Sequence, residues 1–137
     1  MTQSLRLAHL VVGGVAVVAF LITGQIMGRH EPPVAAMEWA ERLLFRSRHI
    51  YLLCAGLVNL AIGAHFLLPE RAARRGAAIV GSLLVLASAV LMFFAFFAEP
   101  MAGRWPGMIS SLGLFALFGG VLLYMLVSLR RPKGSNA

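Results

Sequence analysis

Charge is what this sequence has least of. Five acidic and twelve basic residues are spread over 137 positions, and none falls within residues 7–28, 49–69, 76–98 or 105–129. These uncharged stretches are 22, 21, 23 and 25 residues long. A helix needs about 20 residues to cross a hydrocarbon core of about 30 Å, so each is long enough to span a bilayer. With 60% hydrophobic residues and a mean hydropathy of +0.85, the composition excludes an ordinary water-soluble domain. The expected fold is all-α: an integral membrane four-helix bundle, residues 1–137 forming a single transmembrane domain, with an additional amphipathic helix between spans one and two.

Other absences narrow the function. Cys54 is the one cysteine, which excludes an intramolecular disulfide and leaves the redox compartment unread. No HExxH, Walker loop, GxSxG or CxxC occurs, and no pair of carboxylates falls inside a span, so the reading leans away from an enzyme. Arg6 before an apolar run has the look of a secretory signal. That run, however, exceeds the ~7–15 residues of a signal h-region, and residues 22–28 offer no A-x-A site, so it is kept as a span.

What charge there is lies between the windows. A net charge of +7 would suggest nucleic acid in a soluble protein, but here the basic side chains sit in short connections, where they set topology and meet lipid headgroups. With four spans, Arg6, Arg71, Arg74, Arg75, Arg130, Arg131 and Lys133 share one side. Arg29, Arg42, Arg46, Arg48 and Arg104 share the other. Seven against five places both termini in the cytoplasm, with the bacterial inner membrane as the expected location.

The connections differ in length. Residues 70–75 and 99–104 are tight turns that make spans two, three and four antiparallel neighbours. Residues 29–48 are longer. After Pro32-Pro33, residues 34–48 contain no Gly or Pro, with Glu38 and Glu41 early and Arg42, Arg46 and Arg48 late, an order that complements a helix dipole. Glu38 and Arg42 form a favourable i, i+4 pair. This helix either runs straight into span two or bends at Ser47–Arg48 along the headgroups. Trp39 and Trp105 fall on its side of the membrane, where indoles prefer the interface. The tail, 132–137, reads as disordered.

Each span carries small residues at helical spacing, as helices in lipid require for close backbone approach. The stripes are His9, Gly13, Ala16, Phe20, Thr23 and Met27; Leu52, Gly56, Asn59 and Gly63; Ala77, Gly81, Leu84, Ser88 and Ala95; and Gly113, Ala116 and Gly120. A carboxamide near mid-bilayer is costly unless bonded, so Asn59 should bond across the seam to Thr23, Ser88 or a backbone carbonyl. The run Phe93, Phe94, Phe96 and Phe97 reads as lipid-facing.

Four histidines fall in two layers: His9 and His65 toward the cytoplasmic side, His30 and His49 toward the other. Two per layer would suit bis-imidazole haem b, and this loosely resembles small membrane b-type cytochromes. The resemblance covers four residues and the spacing departs from same-face pairs, since His49 and His65 lie about 160° apart around span two. It leaves at most one layer, His9 with His65, as candidate haem ligands. His30, His49 and Glu99 are the candidate metal ligands on the other face. Glu99 has a competing role: capping its turn, or pairing with Arg104 or the Arg46/Arg48 cluster. The candidate interaction surface is Glu38, Trp39, Arg46 and Arg48, with Asn59 inside.

These features favour a non-enzymatic accessory, assembly or interaction subunit. Its partners would be the lipid bilayer and a membrane protein or a second copy, with no nucleic acid. The alternatives are a haem- or quinone-linked redox protein using His9 and His65, and a small oligomeric transporter.

Overall fold

The computed structural model describes residues 2–102 and 107–128. Four helices account for most of them: α1, Thr2–Arg29; α2, Trp39–Ala64; α3, Ala72–Ala102; and α4, Met108–Ser128. All four are long and apolar enough to cross a membrane. The protein is an integral membrane protein of helical class.

Local chemistry sets the helix ends. Arg29 closes α1, its charge complementing the carbonyl end of the dipole, and Pro32-Pro33 then prevent continuation. A 3₁₀ turn, Val34–Ala36, follows and is tied to α2 by the Arg42 guanidinium donating to the Ala35 carbonyl at 3.1 Å. Glu38 occupies the N-cap position of α2 and Glu41 lies in its first turn. At the far end the His65 N–H donates to the carbonyls of Ala61 and Ile62.

The helices pack as two hairpins, α1 with α2 and α3 with α4, joined through α2 and α3. α1 also reaches α3, whereas α1 and α4 are not packed on each other among the described residues. The first hairpin closes where a Cβ on Gly13 would lie 2.9 Å from the Gly56 carbonyl oxygen. The second closes where Cβ atoms on Gly81 and Gly120 would each lie 2.8 Å from the other's carbonyl oxygen. At these crossings only hydrogen fits, which is how helices gain dispersion contact without a hydrophobic effect between them. A buried cluster from Ala16, Leu52, Ala55, Val85, Ala89, Met92 and Leu117 fills the middle.

Several expected boundaries shift. Residues 34–48 are not a separate amphipathic helix: after the 3₁₀ turn, residues 39–48 are the opening turns of α2, which passes Ser47–Arg48 without a break. No helix breaker stands there, so the helical run that begins after Glu38 is carried into the span. α2 stops at Ala64 rather than 69, and α3 begins at Ala72. Leu84 is 37% exposed, yet it stands at the α3–α4 crossing, its Cβ 2.9 Å from where a Cβ on Gly120 would lie. α3 lies between α2 and α4 and so buries two faces, Gly81 and Leu84 toward α4 and Ala78, Ser82, Val85 and Ala89 inward. Phe93, Phe94 and Phe97 face outward as expected, but Phe96 is buried against Phe45. The expectations for Arg104, Trp105 and the tail fall outside the described residues.

Candidate functional site

The polar side chains inside the helices gather into two clusters at opposite ends. The first joins three helices. His9 of α1 has both ring nitrogens engaged, Nδ1 with Asn59 Oδ1 of α2 at 2.7 Å and Nε2 with Ser82 Oγ of α3 at 2.7 Å. The Asn59 amide donates to the carbonyls of Ala55, at 2.8 Å, and Val85, at 3.1 Å. Both amide protons are thereby used and Oδ1 must accept, which fixes the tautomer: Nδ1–H donates to Asn59, and the Ser82 hydroxyl donates to Nε2. Phe66, from the loop after α2, covers His9 at a ring separation of 5.8 Å and stacks on Tyr124. The Tyr124 hydroxyl in turn accepts the Leu67 N–H and donates to the Leu67 carbonyl, holding α4 to that loop.

A hydroxyl, an imidazole and a carboxamide in series have the connectivity of a nucleophilic relay. Catalysis also requires access. His9, Asn59 and Ser82 are all 0% exposed, and the bundle's apolar cleft is not lined by any of them. The arrangement is suited to clamping three helices together, each polar atom being satisfied by a neighbour.

The second cluster lies at the other end. Arg48 of α2 donates from Nε to Glu99 of α3 at 2.7 Å, with Arg48 2% and Glu99 5% exposed. The second Glu99 oxygen accepts the Ser110 N–H of α4 at 2.8 Å. Glu99 thus pairs with a buried cation and caps a neighbouring helix at its electropositive end. Gly107 seals the arrangement, because a Cβ there would collide with the Glu99 carboxylate and the Arg48 guanidinium.

The candidate ligands are therefore not brought together. His9 and His65 do not form a haem pair: both His9 nitrogens are spoken for, while His65 is exposed at the C-cap of α2 with Nδ1 near the Ala61 carbonyl. His30, His49 and Glu99 also point to different partners. His30 Nδ1 meets the Pro32 carbonyl, His49 meets Thr23, and Glu99 meets Arg48 and Ser110. Among the described residues no three His, Cys, Asp or Glu side chains are grouped for a metal ion. Of the candidate surface residues, Glu38, Trp39 and Arg46 are exposed but Arg48 is not. Asn59 bonds a backbone carbonyl across the seam, as expected, and His9 rather than Thr23 or Ser88.

Two of these placements had a signal in the sequence. His9 reads as interfacial only if span one begins at residue 7; α1 begins at Thr2, which puts His9 about two turns inside the helix. Arg48 lies eleven residues before Asn59, about three turns, and so shares its face with Leu52 and Asn59. That places it in the seam, and Glu99 is the acid at its level. Compared with known protein families, curated proteins and solved structures, the chain matches none.

Proposed function

We propose that this protein is a non-catalytic accessory, assembly or interaction subunit of a membrane, most economically the bacterial inner membrane with both termini in the cytoplasm. The observation that carries the reading is where the polar atoms go. Ser128 Oγ is the one enclosed side-chain nitrogen or oxygen without a partner among the described residues. The hydrogen-bonding capacity of His9, Asn59, Ser82, Arg48, Glu99 and Ser110 is used to hold helices to one another. Along the spans an apolar face remains outward: α4 presents Phe115, 78% exposed, with Phe118 and Leu122 on the same side. In lipid such a face can take up a further helix by van der Waals packing.

A photoreactive phenylalanine analogue at Phe118, irradiated in native membranes, tests this. A discrete protein adduct is expected, its mass distinguishing a second copy from another membrane protein. Adducts with lipid alone, at Phe118 and equally at Phe115 and Leu122, would contradict the reading.

A further inference from the structure

We propose that the end of the bundle carrying Arg6, Arg71 and Arg75 binds anionic phospholipid, with a lipid phosphate on the terminal guanidinium nitrogens of Arg6. This goes beyond the interaction role, and it holds whichever side of the membrane that end faces. Directing insertion asks only for basic residues beside a span. Holding a lipid afterwards asks that they be unpaired, accessible and at the depth of the headgroups.

The first observation is how unevenly the charge is neutralised. The span count puts seven basic residues at the Arg6 end, where the one acid is Glu70, and five at the other, where Glu31, Glu38, Glu41 and Glu99 stand among them. Six of the seven net positive charges therefore belong to one end. Side-chain pairing follows the same division. At the other end Arg48 is paired with Glu99, and Arg42 donates to the Ala35 carbonyl. At the Arg6 end Arg71 and Arg75 are exposed, and their side chains have no partner among the described residues.

The second observation is the way Arg6 is held. Its Nε donates to the Gly63 carbonyl at 3.2 Å. Gly63 lies in the last turn of α2, where carbonyls have no donor within the helix, so the bond satisfies a helix end and tethers a flexible side chain at once. The terminal guanidinium nitrogens keep their donors unused among the described residues, and Arg6 is exposed. A planar fork fixed at one corner, with its other donors free, is matched by the oxygens of a phosphate.

Depth decides which phosphate. Arg6 is one turn outside His9, which is buried among three helices. Exposed apolar side chains adjoin the cations: Leu7 beside Arg6, Leu67 in the loop before Arg71, and Val80 on α3 beyond Arg75. The arginines thus stand at the rim of the hydrocarbon belt, the level of lipid headgroups, and the bilayer itself supplies the anion there.

The test is native mass spectrometry of the full chain in nonionic detergent, mixed with equal amounts of phosphatidylglycerol and phosphatidylcholine. Both lipids carry identical acyl chains, so that contacts with the tails cancel. The lipid retained is expected to favour phosphatidylglycerol by about tenfold. Arg6→Gln should lower that preference by about fivefold, the equivalent of about 1 kcal/mol for one arginine near an anionic surface. Arg46→Gln, at an exposed position of the other end, should leave it unchanged. Ammonium phosphate, compared with ammonium acetate at the same ionic strength, separates the two sources of phosphate. The lipid should stay in both, and its selective displacement by phosphate would make this an inorganic-anion site and overturn the proposal. Equal retention of the two lipids by the unsubstituted protein would overturn it without recourse to any variant, as would a preference that Arg6→Gln leaves intact or that Arg46→Gln lowers equally.

Discussion

Arg48 and Glu99 show how one pair of residues turns a surface reading into a structural one. Removing one partner of a buried ion pair leaves a charge without compensation, which costs about 3–5 kcal/mol, whereas replacing both is far milder. Arg48→Met and Glu99→Gln should therefore each lower stability strongly in a detergent unfolding titration, and the double variant should lose much less than the two losses added together. Arg46→Glu, at an exposed position, should stay within about 0.5 kcal/mol. Additive losses for the first pair would mean that the contact carries no coupling. The His9 cluster makes a parallel claim. His9→Leu strands the Asn59 oxygen and the Ser82 hydroxyl and should cost about 1–3 kcal/mol. Ser82→Ala removes one hydrogen bond and should cost about 0.6 kcal/mol, the usual worth of a bond between helices in lipid. If both matched a lipid-facing change such as Val18→Ala, the clamp would be decorative.

At the scale of elements, adjacent glycines give the sharpest contrast. Gly120 is pressed against the Gly81 carbonyl, while a Cβ on Gly119 would have nothing within 4 Å. Gly120→Ala should lower the thermal stability of the protein in detergent. Gly119→Ala should leave it unchanged or raise it by up to about 1 kcal/mol through helix propensity alone. Equal effects would place the α3–α4 crossing elsewhere. This seam was legible beforehand because small residues at three- and four-residue spacing mark close approach. Gly13, Gly56, Asn59, Gly63, Gly81, Gly113 and Gly120 are all buried as that pattern implies. Phe96 was not legible, since the side a helix presents depends on how many neighbours it has, and α3 has contacts on two sides. The role of residues 39–48 was half legible: the helix was readable from composition, but its continuity with α2 was not, because an unbroken run of helix formers is compatible with either a bend or a straight passage. His9 was read beside His65 rather than level with Asn59, and Ser82 was missed as its partner, because partnership across helices depends on depth as well as on face.

Taken whole, the molecule is four spans held by a polar clamp near each end, with glycine crossings between them and apolar faces left on α1 and α4. Every further statement about partners or ligands depends on that span count and on which groups share a side. An even number of spans requires the N-terminus and the 65–71 connection to lie together, opposite the opening turns of α2. We propose, from the basic-residue balance, that the first pair lies in the cytoplasm. The most direct test is the reaction of single cysteines with a membrane-impermeant maleimide in spheroplasts, using Gln3→Cys, Arg46→Cys and Arg71→Cys in a Cys54→Ala background. The account predicts rapid labelling at position 46, and at positions 3 and 71 only after the membrane is permeabilised. Labelling at 3 and 71 with protection at 46 would invert the orientation, and any difference between 3 and 71 would contradict the four-span architecture itself.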